Sequence, residues 1–238
     1  MTQYVLLTAL LPIAVLAFYI YNKDKEKPEP TGLLLKAFFF GVLSVFVSLC
    51  ISIPLGELGF YPSELTTIIG GISRAFFAAA IPEEIAKFLM LLLVLRNNSY
   101  FDEKMDGIVY AVCVSLGFAA FENVMYLFSN VEDFLSVGFT RALFAVPGHF
   151  CDGVLMGYYY SKVRFCSSAT TKDQIMVLAA PIILHGLYDA ILFVIPVTVP
   201  ALVATTKACL LSVSAKVNSQ LLSSTRFFTV APSAIAVK

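Results

Sequence analysis

Ile81-Pro82-Glu83-Glu84-Ile85-Ala86-Lys87 sits inside the apolar run 67–95, and two adjacent carboxylates with an ammonium in such a run decide how the chain is read. About 20 mostly apolar residues are enough for a helix to cross a bilayer. An Asp or Glu at the centre of that helix costs roughly 2.5–3.5 kcal/mol on insertion scales, which makes it a functional-site candidate by default. Working outward, further runs of spanning length lie at about 4–21, 33–55, 107–129, 137–160, 175–195 and 197–215. The last has Lys207 among Thr205, Thr206 and Ala208 and reads equally as a short or interfacial helix. The expected fold is all-α, a polytopic transmembrane helical bundle of six to seven spans with a four-helix catalytic core. One membrane domain, 1–216, contains that core at about 67–195, and the Ser-rich residues 217–238 read as a C-terminal tail.

Composition supports this reading and excludes others. Of 238 residues 59% are hydrophobic and 13% charged, whereas a soluble chain carries roughly a quarter charged residues. With a mean hydropathy of +0.85, the chain has too little polar surface to cover itself, so membrane lipid is its solvent. Lys+Arg and Asp+Glu both number 16, which leaves no net positive charge to attract nucleic acid. No internal repeat or Gly-rich phosphate loop is present, and the polar connections near 22–32 and 162–174 are too short to fold alone. Cys50, Cys113, Cys151, Cys166 and Cys209 form no C-x-x-C pair and read as packing residues.

Positive residues in short loops stay cytoplasmic. Lys23, Lys25, Lys27 and Lys36 follow the first span, Arg96 and Lys104 the third, and Lys162, Arg164 and Lys172 the fifth. The connections after the second and fourth carry Glu57, Glu64, Glu132 and Asp133. This alternation places the N-terminus outside. Asp106 and Arg141, close to span ends, read as interfacial anchors.

Polar groups recur in the later spans: Glu122 and Asn123 in the fourth, His149 and Asp152 in the fifth, His185 and Asp189 in the sixth. His149 and His185 are the only histidines, and both lie in apolar runs. Glu83 and Lys87 are four apart, Glu84 and Lys87 three, and His185 and Asp189 four, so each set shares a helix face. One polar cavity shared by four helices gives each charge a partner in place of lipid.

E-E-x-x-K at Glu83 to Lys87, F-x-x-x-E-N at Phe118 to Asn123, H-x-x-x-G at His149 to Gly153 and H-x-x-x-D at His185 to Asp189 resemble, in this order, the motif set of the PrsW family of intramembrane proteases. Asp106-Gly107-Ile108-Val109-Tyr110 is similar to that family as well, and the resemblance covers about residues 1–195. A more distant likeness extends to the CAAX prenyl endopeptidase and bacteriocin-processing superfamily. The resemblance implies an integral protein of the bacterial inner membrane that hydrolyses a peptide bond in or next to the membrane. Its implied substrate is a single-span membrane protein, such as a membrane-bound anti-sigma factor.

Peptide hydrolysis needs an activated water, polarisation of the carbonyl and a proton for the leaving amine. Glu83 or Glu84 is the candidate base; adjacent helix positions point about 100° apart, so one faces the water while the other pairs with Lys87. Glu122, His149 and His185 are the candidate ligands of a zinc ion, three N/O donors that leave a position for water. The alternative is a glutamate-dependent hydrolase without metal, in which the histidines hold the water and the oxyanion. Asp189 suits the role of orienting His185, and Asn123 either donates to an oxyanion or ties two helices. The competing functional classes are a proton-coupled transporter, which also uses intramembrane carboxylates and histidines, and a non-catalytic membrane scaffold.

Overall fold

The computed structural model describes residues 1–24 and 27–225, with side chains as far as Val199. Every regular element among them is a helix. In chain order they are α1 (Thr2–Lys23), α2 (Thr31–Glu57), α3 (Ile68–Arg74), α4 (Ile81–Leu95), α5 (Lys104–Ser129), α6 (Phe134–Leu143), α7 (Ala145–Phe165) and α8 (Thr171–Thr225). Five helical stretches among the described residues are long and apolar enough to cross a membrane: Thr2–Lys23, Thr31–Glu57, Lys104–Ser129, Val131–Phe165 and Thr171–Val199. The expected all-α bundle of apolar helices is therefore present.

Two of the expected spans are interrupted, each next to a proline. Between α3 and α4 a π-helical turn covers Ala75–Ala80, and the Ile81 N–H donates five residues back to the Phe76 carbonyl. Pro82 has no N–H, and in a regular helix its ring would press on the carbonyl of Ala78. The widened turn relieves that conflict immediately before Glu83, and such turns are frequent at functional sites. In the fifth run the helix breaks at Phe144, between α6 and α7. Pro147 sits in the first turn of α7, where its missing N–H costs nothing, while its ring excludes the carbonyl of Leu143 from a continuous helix.

The chain divides into two compact units, Met1–Val194 and Ile195–Lys238. In the first, α5 forms the centre and packs against α7, α2, α1 and α4. Its residues from Asp106 to Ala120 are almost all buried, as expected for a helix apolar all round. Close approach is achieved with glycines. A side chain at Gly41 of α2 would be driven into the Val114 carbonyl of α5, and one at Gly157 of α7 into the Gly107 carbonyl. Between apolar helices in lipid, such small-residue contacts supply the van der Waals packing that drives association.

In the second unit, α8 carries the 197–215 run within one continuous helix that extends through 217–225, part of the stretch expected as a tail; residues 226–238 lie outside the described residues. Cys50, Cys113, Cys151 and Cys166 are free, while the side chain of Cys209 lies outside the described ones. Asp106, expected as an interfacial anchor, is fully buried. It forms a capping box with Glu103 at the start of α5, accepting the N–H groups of Asp102 and Glu103.

Candidate active site

The π turn ends where the glutamate pair begins, and the two carboxylates then diverge. Glu84 and Lys87 are completely buried, with Lys87 Nζ 2.7 Å from Glu84 Oε1. Glu83 stays partly open at 15% exposure and lies 3.7 Å from the same ammonium. Lys87 Nζ also lies 3.0 Å from His149 Nδ1 on α7 and 4.2 Å from the centre of the Phe118 ring on α5. An ammonium can only donate, so His149 Nδ1 accepts and its proton resides on Nε2. That Nε2–H donates to Glu122 Oε2 at 2.9 Å.

His185, on α8, faces the pair from the other side. Its Nδ1 donates to Glu84 Oε1 at 2.8 Å. Its Nε2 is 3.7 Å from Glu83 Oε2 and 3.5 Å from Asp189 Oδ2. The two imidazoles meet edge to face with centroids 5.3 Å apart. Asp152, one turn after His149, brings Oδ2 to 3.9 Å from His185 Nδ1.

Four buried groups form a potential donor set for a metal ion: Glu84, His149, Asp152 and His185 each place one ligand atom within 4.8 Å of the others. Two of their carboxylate oxygens, Glu84 Oε2 and Asp152 Oδ1, are buried without a hydrogen-bond donor, as is Glu83 Oε2. Mixed imidazole and carboxylate donors suit a zinc-class cation. This set shares His149 and His185 with the triad read from sequence but holds Glu84 and Asp152 where Glu122 was expected. Glu122 sits at its edge, bonded to His149 and, at 2.6 Å, to Arg141 Nη2.

Arg141 is the largest departure from the sequence reading. In place of anchoring at the interface, it enters the cavity from α6, bonds Glu122, donates from Nε to Asn123 Oδ1 at 2.6 Å and lies over the Tyr126 ring at 4.1 Å. The helix break at Phe144 separates Arg141 from the α7 face that carries His149, so helical spacing between the two does not apply. Asn123 in turn donates to the Ala9 carbonyl of α1 at 3.1 Å, joining the two helices. Asp152 had a visible signal, since its i+3 spacing from His149 places both on one face. Arg141 had only its charge inside an apolar run.

A cavity of about 680 Å³ opens onto this cluster, lined by Glu83, Glu122, Arg141, His149, Asp152, His185 and Asp189. Its lining continues to Tyr126, Asn130 and Ser136. Glu122 is seven residues from the end of α5, so the polar cluster lies about 10 Å below that end of the helix. Glu84 and Lys87 do not line the cavity and form its buried support.

The family model for PrsW family intramembrane metalloproteases matches residues 29–215. Among curated relatives, the chain is 37% identical over 185 residues to Protease PrsW of Bacillus subtilis, covering 77% of this chain and 80% of the relative. It is 36% identical over 184 residues to Protease PrsW of Geobacillus kaustophilus, with 76% of each covered, and 34% identical over 193 residues to that of Clostridioides difficile, with 79% of each covered. No solved structure matches the chain. The chain belongs to the PrsW family of intramembrane metalloproteases.

Proposed function

We propose that this chain is an intramembrane endopeptidase that cleaves a single-span membrane protein in or next to its membrane segment. A membrane-bound anti-sigma factor is the substrate class implied by the family resemblance. The carrying observation is Glu83: alone of the glutamate pair it lines the cavity, with a buried oxygen that no donor satisfies, beside His185 and Asp189. Glu83 takes a proton from water in the cavity and returns it to the leaving amine. Asp189 holds His185 towards Glu83. Arg141 has five N–H donors, and those left free by Glu122 and Asn123 are available to a substrate carbonyl. Lys87, enclosed by Glu84, His149 and Phe118, fixes α4, α5 and α7 around the cavity.

The family implies a metal, and the donors present fit one. Glu84, His149, Asp152 and His185 would hold it, with Lys87 giving up His149 Nδ1 and the His185–Glu84 hydrogen bond giving way. A zinc-class cation bound there supplies Lewis-acid polarisation of water and carbonyl. The test is cleavage of a single-span substrate by purified protein with and without chelator, together with metal analysis of variants. Chelation stops cleavage, and zinc restores it. Asp152→Ala and His185→Ala lose metal affinity by about 10-fold or more, whereas Glu122→Gln keeps the metal. Metal lost from Glu122→Gln but retained in Asp152→Ala would return the site to the triad of Glu122, His149 and His185. Cleavage unaffected by chelation would favour the metal-free mechanism.

The cavity reaches Asn130 and Ser136, beside the acidic connection of Glu132 and Asp133. The positive-inside pattern supports an external position for this connection and for the N-terminus, and on that reading the scissile bond is reached from the external side. Reporter fusions after residues 100 and 168 are expected to read as cytoplasmic. An external signal from either reverses the orientation.

A further inference from the structure

A second buried acidic cluster lies towards the opposite end of α5. Asp24 follows the last turn of α1, Glu29 precedes α2, and Asp106 belongs to the first turn of α5. Asp106 and Glu122 are 16 residues apart on that helix, about 24 Å along its axis, so this cluster is separate from the cavity. Asp24 and Glu29 are each 5% exposed and Asp106 0%. One oxygen from each lies within 4.8 Å of the other two.

Protein donors satisfy only part of this cluster. Asp106 Oδ2 accepts the N–H groups of Asp102 at 2.8 Å and Glu103 at 2.7 Å. Glu29 Oε2 accepts the Tyr110 hydroxyl. Asp24 Oδ2 and Asp106 Oδ1 are buried and have no donor. Among the described residues no Lys or Arg pairs with any of the three carboxylates; Lys27, nearby in the chain, pairs with Asp102. Burial pushes the Glu29 carboxyl up to about 7 and raises that of Asp24, with Asp106 adding to both effects. Converging buried carboxylates with unsatisfied oxygens are stabilised by a proton or a cation between them, and all-oxygen donors select hard cations.

We propose that Asp24, Glu29 and Asp106 bind a divalent, oxygen-preferring cation of the Ca²⁺ or Mg²⁺ class. The ion ties the α1–α2 connection to the start of α5, with water completing its shell. This site is independent of the peptidase reading.

The experiment uses the full chain in detergent, stripped of metal and titrated with Tb³⁺ as a luminescent probe excited through tyrosine. The chain has no Trp and 11 Tyr, and Tyr110 touches Glu29, so it is the antenna nearest the site. Saturable emission is expected, displaced by Ca²⁺ or Mg²⁺ at millimolar concentration or below, with the more effective competitor identifying the ion. Asp24→Asn and Glu29→Gln weaken binding about tenfold or more, because affinity follows the number of charged ligands. Tyr110→Phe, which keeps all three carboxylates, dims the emission by more than half. His185→Ala leaves the titration unchanged. Emission that Ca²⁺ and Mg²⁺ do not displace, or that is undiminished in Tyr110→Phe, overturns the proposal, as does unaltered affinity in folded Asp24→Asn and Glu29→Gln.

Discussion

Glu83→Gln lowers the cleavage rate by about 10²- to 10⁴-fold, the range contributed by a positioned general base. The amide keeps the size of the side chain and cannot take up a proton. Glu83 stands outside the four residues Glu84, His149, Asp152 and His185 proposed to hold a metal, so this variant is expected to match the wild type in metal content. Glu84 lies beneath the cavity, bonded to Lys87 and His185. Glu84→Gln is accordingly expected to reduce metal content and stability together. Turnover and metal content measured on the same preparations separate the two roles. A Glu83→Gln enzyme with near-wild-type turnover, beside an inactive Glu84→Gln enzyme that stays folded and metal-loaded, would transfer the base to Glu84.

Lys87→Met destabilises the protein by about 3–5 kcal/mol, the usual cost of breaking a buried ion pair from one side. Methionine fills a similar volume, but Glu84 then keeps an uncompensated charge at a position with no access to water. His149 Nδ1 loses its donor at the same time. The double variant Glu84→Gln/Lys87→Met recovers a large part of the loss, because removing both charges is far cheaper than stranding one. Unfolding should be followed in chelator, since a bound cation would itself compensate Glu84. Wild-type stability in Lys87→Met would mean that the ammonium is not the counter-charge of the pair.

The spans were legible because the cost of exposing polar groups to lipid acts on each segment by itself. A run such as 33–55 or 107–129 has no alternative to a helix in a bilayer. The costly polar residues were legible for the same reason: Glu83, Glu84, Lys87, Glu122, His149 and His185 stand out against apolar neighbours, and the structure gathers all six around or beneath one cavity. The divergence of the two glutamate side chains was visible in part. Helical geometry requires the two to diverge, but the face that α4 turns to the cavity depends on the π turn before Pro82.

Asp24, Glu29 and Asp106 left no trace as a group. They lie in or beside polar connections where charged residues are ordinary, and three separate chain segments must meet before they become neighbours. Arg141 was misread because a straight helix through 137–160 holds it near a membrane surface, whereas the break at Phe144 lets α6 turn it onto Glu122.

The sequence by itself therefore determined the solvent, the helices and the residues that need explaining, since each follows from the local cost of burying a group in lipid. Only the tertiary structure decided the rotation of each helix about its own axis, and with it which carboxylates lie beside the two histidines: Glu84 and Asp152 as well as Glu122. The physical reason lies in α5. A helix that is apolar on every face has no polar side to turn away from its neighbours, so its rotation is set by where glycines let backbones touch and where buried charges find partners.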